Sequence, residues 1–152
     1  MPGIWHNKME ELFPQEMGEV KFYCSSRASN TCRRADILLS DNRTCEIQHS
    51  YISENEIINR FNDWNKFGKE IIWLVDGNEG IQLDKLSTGN YLLIFNTYWK
   101  YKSFIKTYDY ILLEKDELIF KIELKKIKSG MIELKEPKTL QDTISYLKTK
   151  ST

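Results

Sequence analysis

"RRADILLSDNRTCEIQHS", residues 33 to 50, holds two short apolar runs joined by a turn at Asp41 and Asn42, and each run carries a carboxylate: Asp36 on the first, Glu46 on the second. Side chains along a strand alternate faces, so Glu46 and Gln48 point one way and Cys45 and Ile47 the other. Whether Asp36 joins them depends on the register of the hairpin. A tight two-residue loop with unbroken pairing sets Asp36 opposite Ile47, among core residues. A three-residue loop or a bulge sets it across from Glu46 or Gln48, and Asp41 and Asn42 both tolerate the left-handed conformation such a loop needs. The stretch therefore predicts an odd-length loop or a bulge, with Asp36, Glu46 and Gln48 on one face. Facing side chains then start about 5 Å apart, and two carboxylates so placed repel unless one keeps a proton or a cation lies between them. Hard carboxylate oxygens suit Mg²⁺ or Mn²⁺. Spacing alone favours a plainer alternative, in which both acids are solvated on an open sheet face and partnered by Arg33 or Arg34.

Working outward, Trp5, Met9, Leu12 and Phe13 recur at helical spacing and are closed by Pro14, which predicts a short amphipathic helix whose other face carries His6, Lys8 and Glu10. "EVKFYCS" (19–25) reads as a first strand. Ser53 followed by Glu56 is a capping box, and it predicts a helix over 54–66 with Ile57, Ile58, Phe61 and Trp64 as its buried stripe and Gly68 as its left-handed exit. "EIIWLVDG" (70–77) is a continuous apolar run, as expected of a strand covered on both faces. The order is helix, strand, strand, strand, helix, strand. Beyond it, 91–95, 108–114 and 117–124 read as further strands, "SGMIEL" as a weaker one, and 139–148 as a last helix; 98–107 stays open between strand and short helix. The expected fold is α/β: an αβββαβ core over 4–77 and an extension of strands and a helix over 78–152, in one domain spanning 1–152.

The composition is that of a globular chain, with 41% hydrophobic and 29% charged residues. No apolar stretch approaches the roughly 20 residues of a spanning helix, and the first residues lack the pattern of a signal peptide, so no membrane partner and a cytoplasmic setting are expected. The 22 basic and 22 acidic residues cancel, so no global field marks a nucleic-acid binder. The halves differ slightly: 9 basic against 12 acidic residues up to Asp76, and 13 against 10 after it. Cys24, Cys32 and Cys45 leave an odd thiol without a CxxC pair, and small buried residues on neighbouring strands are favoured over a zinc site shared with His49.

Three stretches, "RRADI", "CEIQHSYIS" and "NEIINRFNDWNKFGKEIIWLVDG", together with the opening "IWHNKMEELFP", resemble the PD-(D/E)xK nuclease superfamily and, more narrowly, the competence protein CoiA-like group. The resemblance covers residues 4 to 77. It implies a restriction-endonuclease-like fold and Mg²⁺- or Mn²⁺-dependent hydrolysis of phosphodiester bonds in nucleic acid, most naturally DNA. Asp36 matches the metal-binding aspartate, Glu46 the second acidic ligand, the Ile47 carbonyl completes the metal shell, and Gln48 takes the position usually held by lysine. An amide orients a water but brings no positive charge. Ile4 stands where relatives often have an acid just before the Trp-His pair. Glu10, one turn after His6, offers a replacement carboxylate, and His6 itself is a candidate for contacting metal or phosphate, against the alternative that it is merely solvated.

Arg34 is a further candidate for contacting nucleic acid. Arg60 is read either as a phosphate contact or as the partner of Glu56. In "TYWKYKSFIK" (97–106) the lysines, Lys100 and Lys102 foremost, suit a nucleic-acid groove, while the rings are assigned chiefly to core packing. The rival readings are a catalytically inactive nucleic-acid-binding module that keeps the fold and, further off, an interaction protein gripping an acidic partner.

Overall fold

The computed structural model describes residues 3–23, 31–40, 42–95 and 99–150. Helix α1 (Ile4–Glu10) is too short to stand on propensity alone and is held by what it buries: Met9, followed by Phe13, enters a core, and the Trp5 indole N–H donates to Glu114 Oε1 at 2.7 Å. Strands β1 (Gly18–Tyr23), β2 (Thr31–Ser40) and β3 (Arg43–Gln48) follow, then helix α2 (Glu54–Lys66) and strand β4 (Glu70–Asp76). This is the αβββαβ order read from the sequence.

The ends of α2 follow from local chemistry. Ser53 Oγ accepts the Glu56 N–H at 3.1 Å, and at the other end Gly68 takes φ +69° while the Lys69 N–H reaches the Trp64 carbonyl at 2.9 Å, a Schellman closure. The buried stripe is narrower than expected. Ile57 and Trp64 are fully buried, but Ile58 and Phe61 are more than a third exposed, and Asp63 is buried instead. A helix turns about 100° per residue, so Ile58 lies well round from Ile57.

The extension contributes strands to two sheets. Strands β7 (Tyr110–Lys115) and β8 (Leu118–Glu123) and the two-residue β10 (Lys138–Thr139) complete a seven-stranded sheet of order β1-β2-β3-β4-β7-β8-β10. Pairs β3–β4 and β4–β7 are parallel; the other pairs of this sheet are antiparallel. Strands β5 (Ile81–Lys85), β6 (Tyr91–Phe95) and β9 (Met131–Leu134) form a separate antiparallel sheet. Strand β5 was not anticipated, because its "IQLDK" carries only two apolar residues and covers a single face. Helix α3 (Leu140–Lys150) closes the described chain. No helix is long and apolar enough to cross a membrane among the described residues.

Strand β4 sits at the middle of the large sheet and explains its own sequence. Ile72 and Leu74 enter a core with Met9, Ile37 and Ile144, whereas Ile71, Trp73 and Val75 enter the opposite one with Ile57, Trp64 and Phe104. The open segment resolves as a 3₁₀ turn, Lys102–Phe104, and its rings are core: Trp99, Tyr101 and Phe104 are buried, with Trp99 stacked on Phe95 at 4.2 Å. Gly77 ends β4 where a side chain has no room, since a Cβ there would lie 2.2 Å from Leu113 Cδ2 and 3.0 Å from the Glu114 carbonyl. Gly77→Ala is expected to cost about 1–3 kcal/mol, read as a lower urea midpoint at unchanged m-value.

Candidate active site at the parting of β2 and β3

The hairpin settles the register question. Ile37 pairs with Cys45 and Leu38 with Thr44, yet Ser40 pairs with Arg43, so the register shifts by one residue between Leu38 and Ser40. That bulge carries Asp36 to the level of Glu46, as the alternation of the two carboxylates required. The β2–β3 ladder stops at Ile37↔Cys45 among the described residues. Beyond that point the Asp36 carboxylate itself takes the next β3 donor: Asp36 Oδ2 accepts the Ile47 N–H at 2.9 Å. In extended backbone a residue's N–H and C=O point to the same side, so the Ile47 carbonyl also faces the β2 edge.

The two carboxyl groups are neighbours that shift each other's titration. Burial, then the charge of Asp36, push the Glu46 carboxyl well above its usual range, while the Trp64 indole N–H donates to Glu46 Oε1 at 3.0 Å. Burial also works to raise Asp36, but hydrogen bonds with His6, Glu46 and the Ile47 N–H outweigh it and hold its carboxyl low. Glu46 is 2% exposed, so its protonated form is favoured beside an Asp36 that is favoured ionised. His6 reaches the pair from α1: Nε2 lies 3.6 Å from Asp36 Oδ2, and Nδ1 lies 2.8 Å from Glu10 Oε1. Contact with Asp36 raises the His6 pKa against the opposing effect of burial. The result is a line of groups, Glu10, His6, Asp36, Glu46 and Trp64, running from one helix layer through the gap between strands to the other.

The remaining candidates are distributed around this line. Gln48 lies two residues past Glu46, but its amide N–H donates to the Ser50 carbonyl at 2.9 Å. Arg60 donates to Glu56 Oε1 at 2.9 Å, sits 5.6 Å from the centre of the Trp73 ring, and places its charge near Glu46. Lys100 Nζ donates to the His49 carbonyl at 2.5 Å, beside the end of β3, and Lys102 is exposed. Arg34 is placed on β2 by its pairing with Lys21; its side chain lies outside the described residues, as do Cys24, the Cys32 side chain and Tyr98. Cys45 is buried, which pushes its thiol pKa up and makes it a packing residue.

Residues 19–134 match the family described as competence protein CoiA, nuclease-like domain. The chain belongs to that family. Comparison with curated proteins and with solved structures finds no match. The CoiA nuclease-like match includes Asp36, Glu46, Gln48, Arg60, Lys100 and Lys102, whereas His6 and Glu10 precede it.

Among the described residues no group of three His, Cys, Asp or Glu side chains is arranged to hold a metal ion. The CoiA-like site does suit one with two side chains and a main-chain group: the buried Glu46 carboxyl lies beside that of Asp36, whose charge raises its pKa, and the Ile47 carbonyl faces the same edge. A hard divalent ion takes such oxygens and fills its remaining positions with water and substrate. Trp64 escaped the sequence reading as part of the site because it counted as an apolar stripe residue. The available signal was its indole N–H, which needs a partner once buried. Trp5 is the second such case, since its bond to Glu114 fixes the helix that presents His6.

Proposed function

We propose that this CoiA-like chain is a divalent-metal-dependent nuclease that hydrolyses phosphodiester bonds in DNA, with Asp36 and Glu46 as its metal ligands. The observation that carries this reading is the geometry where β2 and β3 part: the Asp36 carboxylate accepts the Ile47 N–H at 2.9 Å beside the buried Glu46, which the Trp64 indole holds at 3.0 Å. A bound Mg²⁺ or Mn²⁺ supplies Lewis-acid polarisation of the phosphate and a water of lowered pKa. The protein's own groups do the rest. The Ile47 N–H and the Trp64 indole hold the two carboxylates in place. His6, with its raised pKa and its contact with Asp36, holds a proton beside the reacting region, where a leaving oxygen needs one. Gln48 is uncharged, so charge stabilisation falls on the ion and on any cation that approaches with substrate.

A second reading, an inactive nucleic-acid-binding module, is favoured by one specific feature: Gln48 is turned to Ser50, leaving the lysine position of the motif without a cation. The two readings separate in one assay. Purified protein is incubated with single- and double-stranded DNA and RNA across Mg²⁺, Mn²⁺, Ca²⁺ and EDTA. Cleavage with Mg²⁺ or Mn²⁺ that stops in EDTA is expected; binding without cleavage under every metal supports the second reading.

A further inference from the structure

A cleft of about 550 Å³ lies at the start of the parallel strands, away from the Asp36–Glu46 pair. Its floor is apolar where β4, β7 and β8 run side by side, and its walls are α3 and the chain after β9. Around the rim stand Arg43, Lys121, Lys135 and Lys138, and none of the four pairs with a carboxylate among the described residues. Of the three acids of the rim, Glu123 pairs with Lys126 at 2.7 Å and Glu133 accepts the neutral Asn90 amide at 2.9 Å; five basic residues line the cleft against these three. Two tyrosines carry a lysine over the ring. Lys121 Nζ lies 4.6 Å from the centre of Tyr110, and Lys138 Nζ lies 5.5 Å from that of Tyr146, which is 52% exposed.

Cations that pair with no carboxylate among the described residues, beside a half-exposed ring and around an apolar trough, form a surface that phosphates and bases satisfy together: cations take the phosphates and the ring's exposed part takes a base. We propose that this cleft binds single-stranded nucleic acid as an exosite, holding a part of the strand away from the bond that is cut. This rests on the nuclease reading only in assigning the strand to the enzyme's own substrate. Lys135, Lys138 and Tyr146 follow the residues matched by the family, so the wall that completes the cleft belongs to this chain's own extension.

The test measures binding of a fluorescein-labelled mixed-sequence oligonucleotide of about 20 nucleotides, in EDTA, across a salt series. The triple variant Lys121→Gln, Lys135→Gln, Lys138→Gln should bind at least about tenfold more weakly and lower the slope of log affinity against log salt by about 2, the loss of three phosphate contacts. Tyr146→Ala should weaken binding by about tenfold with an unchanged slope, because a stacked ring carries no charge. All four side chains are exposed, so folding is checked simply by an unchanged thermal midpoint. Wild-type affinity and slope in the triple variant would overturn the exosite. Equal displacement of the oligonucleotide by polyglutamate would also overturn it, pointing to an acidic protein. Cleavage by wild-type protein is followed alongside: a triple variant that binds weakly while the wild type never cuts keeps the exosite and rejects the nuclease reading, and the converse pattern does the reverse.

Discussion

Asp36→Asn is expected to lower metal-dependent cleavage by about a thousandfold or more while leaving the protein folded. The asparagine oxygen still accepts the Ile47 N–H, so the bond that caps the parted strands survives, and only the negative charge is lost. The design separates two roles that Asp36→Ala would confuse. If Asp36 serves the fold alone, the asparagine variant cuts DNA at the wild-type rate; if it holds a metal ion, the variant melts near the wild-type temperature in EDTA but gains little from Mn²⁺. Full activity in Asp36→Asn would remove the basis for the proposed metal site. His6 and Glu10 should behave differently from Asp36, since they reach the site from α1 and their loss alters a proton, not the ion.

The second large effect concerns pH. If Glu46 holds a cation it does so ionised, against its raised pKa, so divalent-ion affinity is expected to rise with pH, approaching tenfold per unit until the folded-state pKa of Glu46 is passed. The Glu46 and His6 pKa values are raised from their ordinary 4.5 and 6.5, so each contributes stability that is complete below that ordinary value and is lost as pH climbs through the raised one. Asp36, lowered from 3.8, contributes above that value and is lost in acid. Metal-free protein should therefore weaken on the alkaline side, where a divalent ion compensates most. Glu46→Gln imitates the protonated form: its amide N–H donates to Asp36 and its oxygen accepts the Trp64 N–H. It should flatten the alkaline decline in EDTA and abolish the metal-induced rise in melting temperature. Melting curves across pH, with and without Mn²⁺, read both effects. A metal-induced rise that survives in Glu46→Gln, or one that shrinks as pH increases in the wild type, would place the ion elsewhere.

Much of this was legible from the sequence, and for local reasons. The bounds of α2 follow from a serine cap and a left-handed glycine, both of which act within a few residues. The double burial of β4 follows from an unbroken apolar run. The bulge in the hairpin followed from one requirement, that two carboxylates be brought together on a sheet. Other features depended on partners far along the chain. Strand β5 has too few apolar residues to announce itself and exists because β6 offers it a ladder. Ile58 and Phe61 carry the right hydrophobicity for a stripe, but the axial rotation of α2 on the sheet decided that Asp63 is covered and they are not.

The same division applies to the site. Residue order alone determined the αβββαβ core, the placing of Asp36 and Glu46 on adjacent strands, and the family to which they belong, because alternation and capping are properties of neighbouring residues. Only the tertiary structure decided that Glu46 is buried against Trp64, that Gln48 turns to Ser50, that His6 arrives from the opposite layer, and that Arg43, Lys121, Lys135 and Lys138 gather around a distant cleft. Each of these depends on desolvation and on contacts between segments tens of residues apart, which only the packed chain brings together.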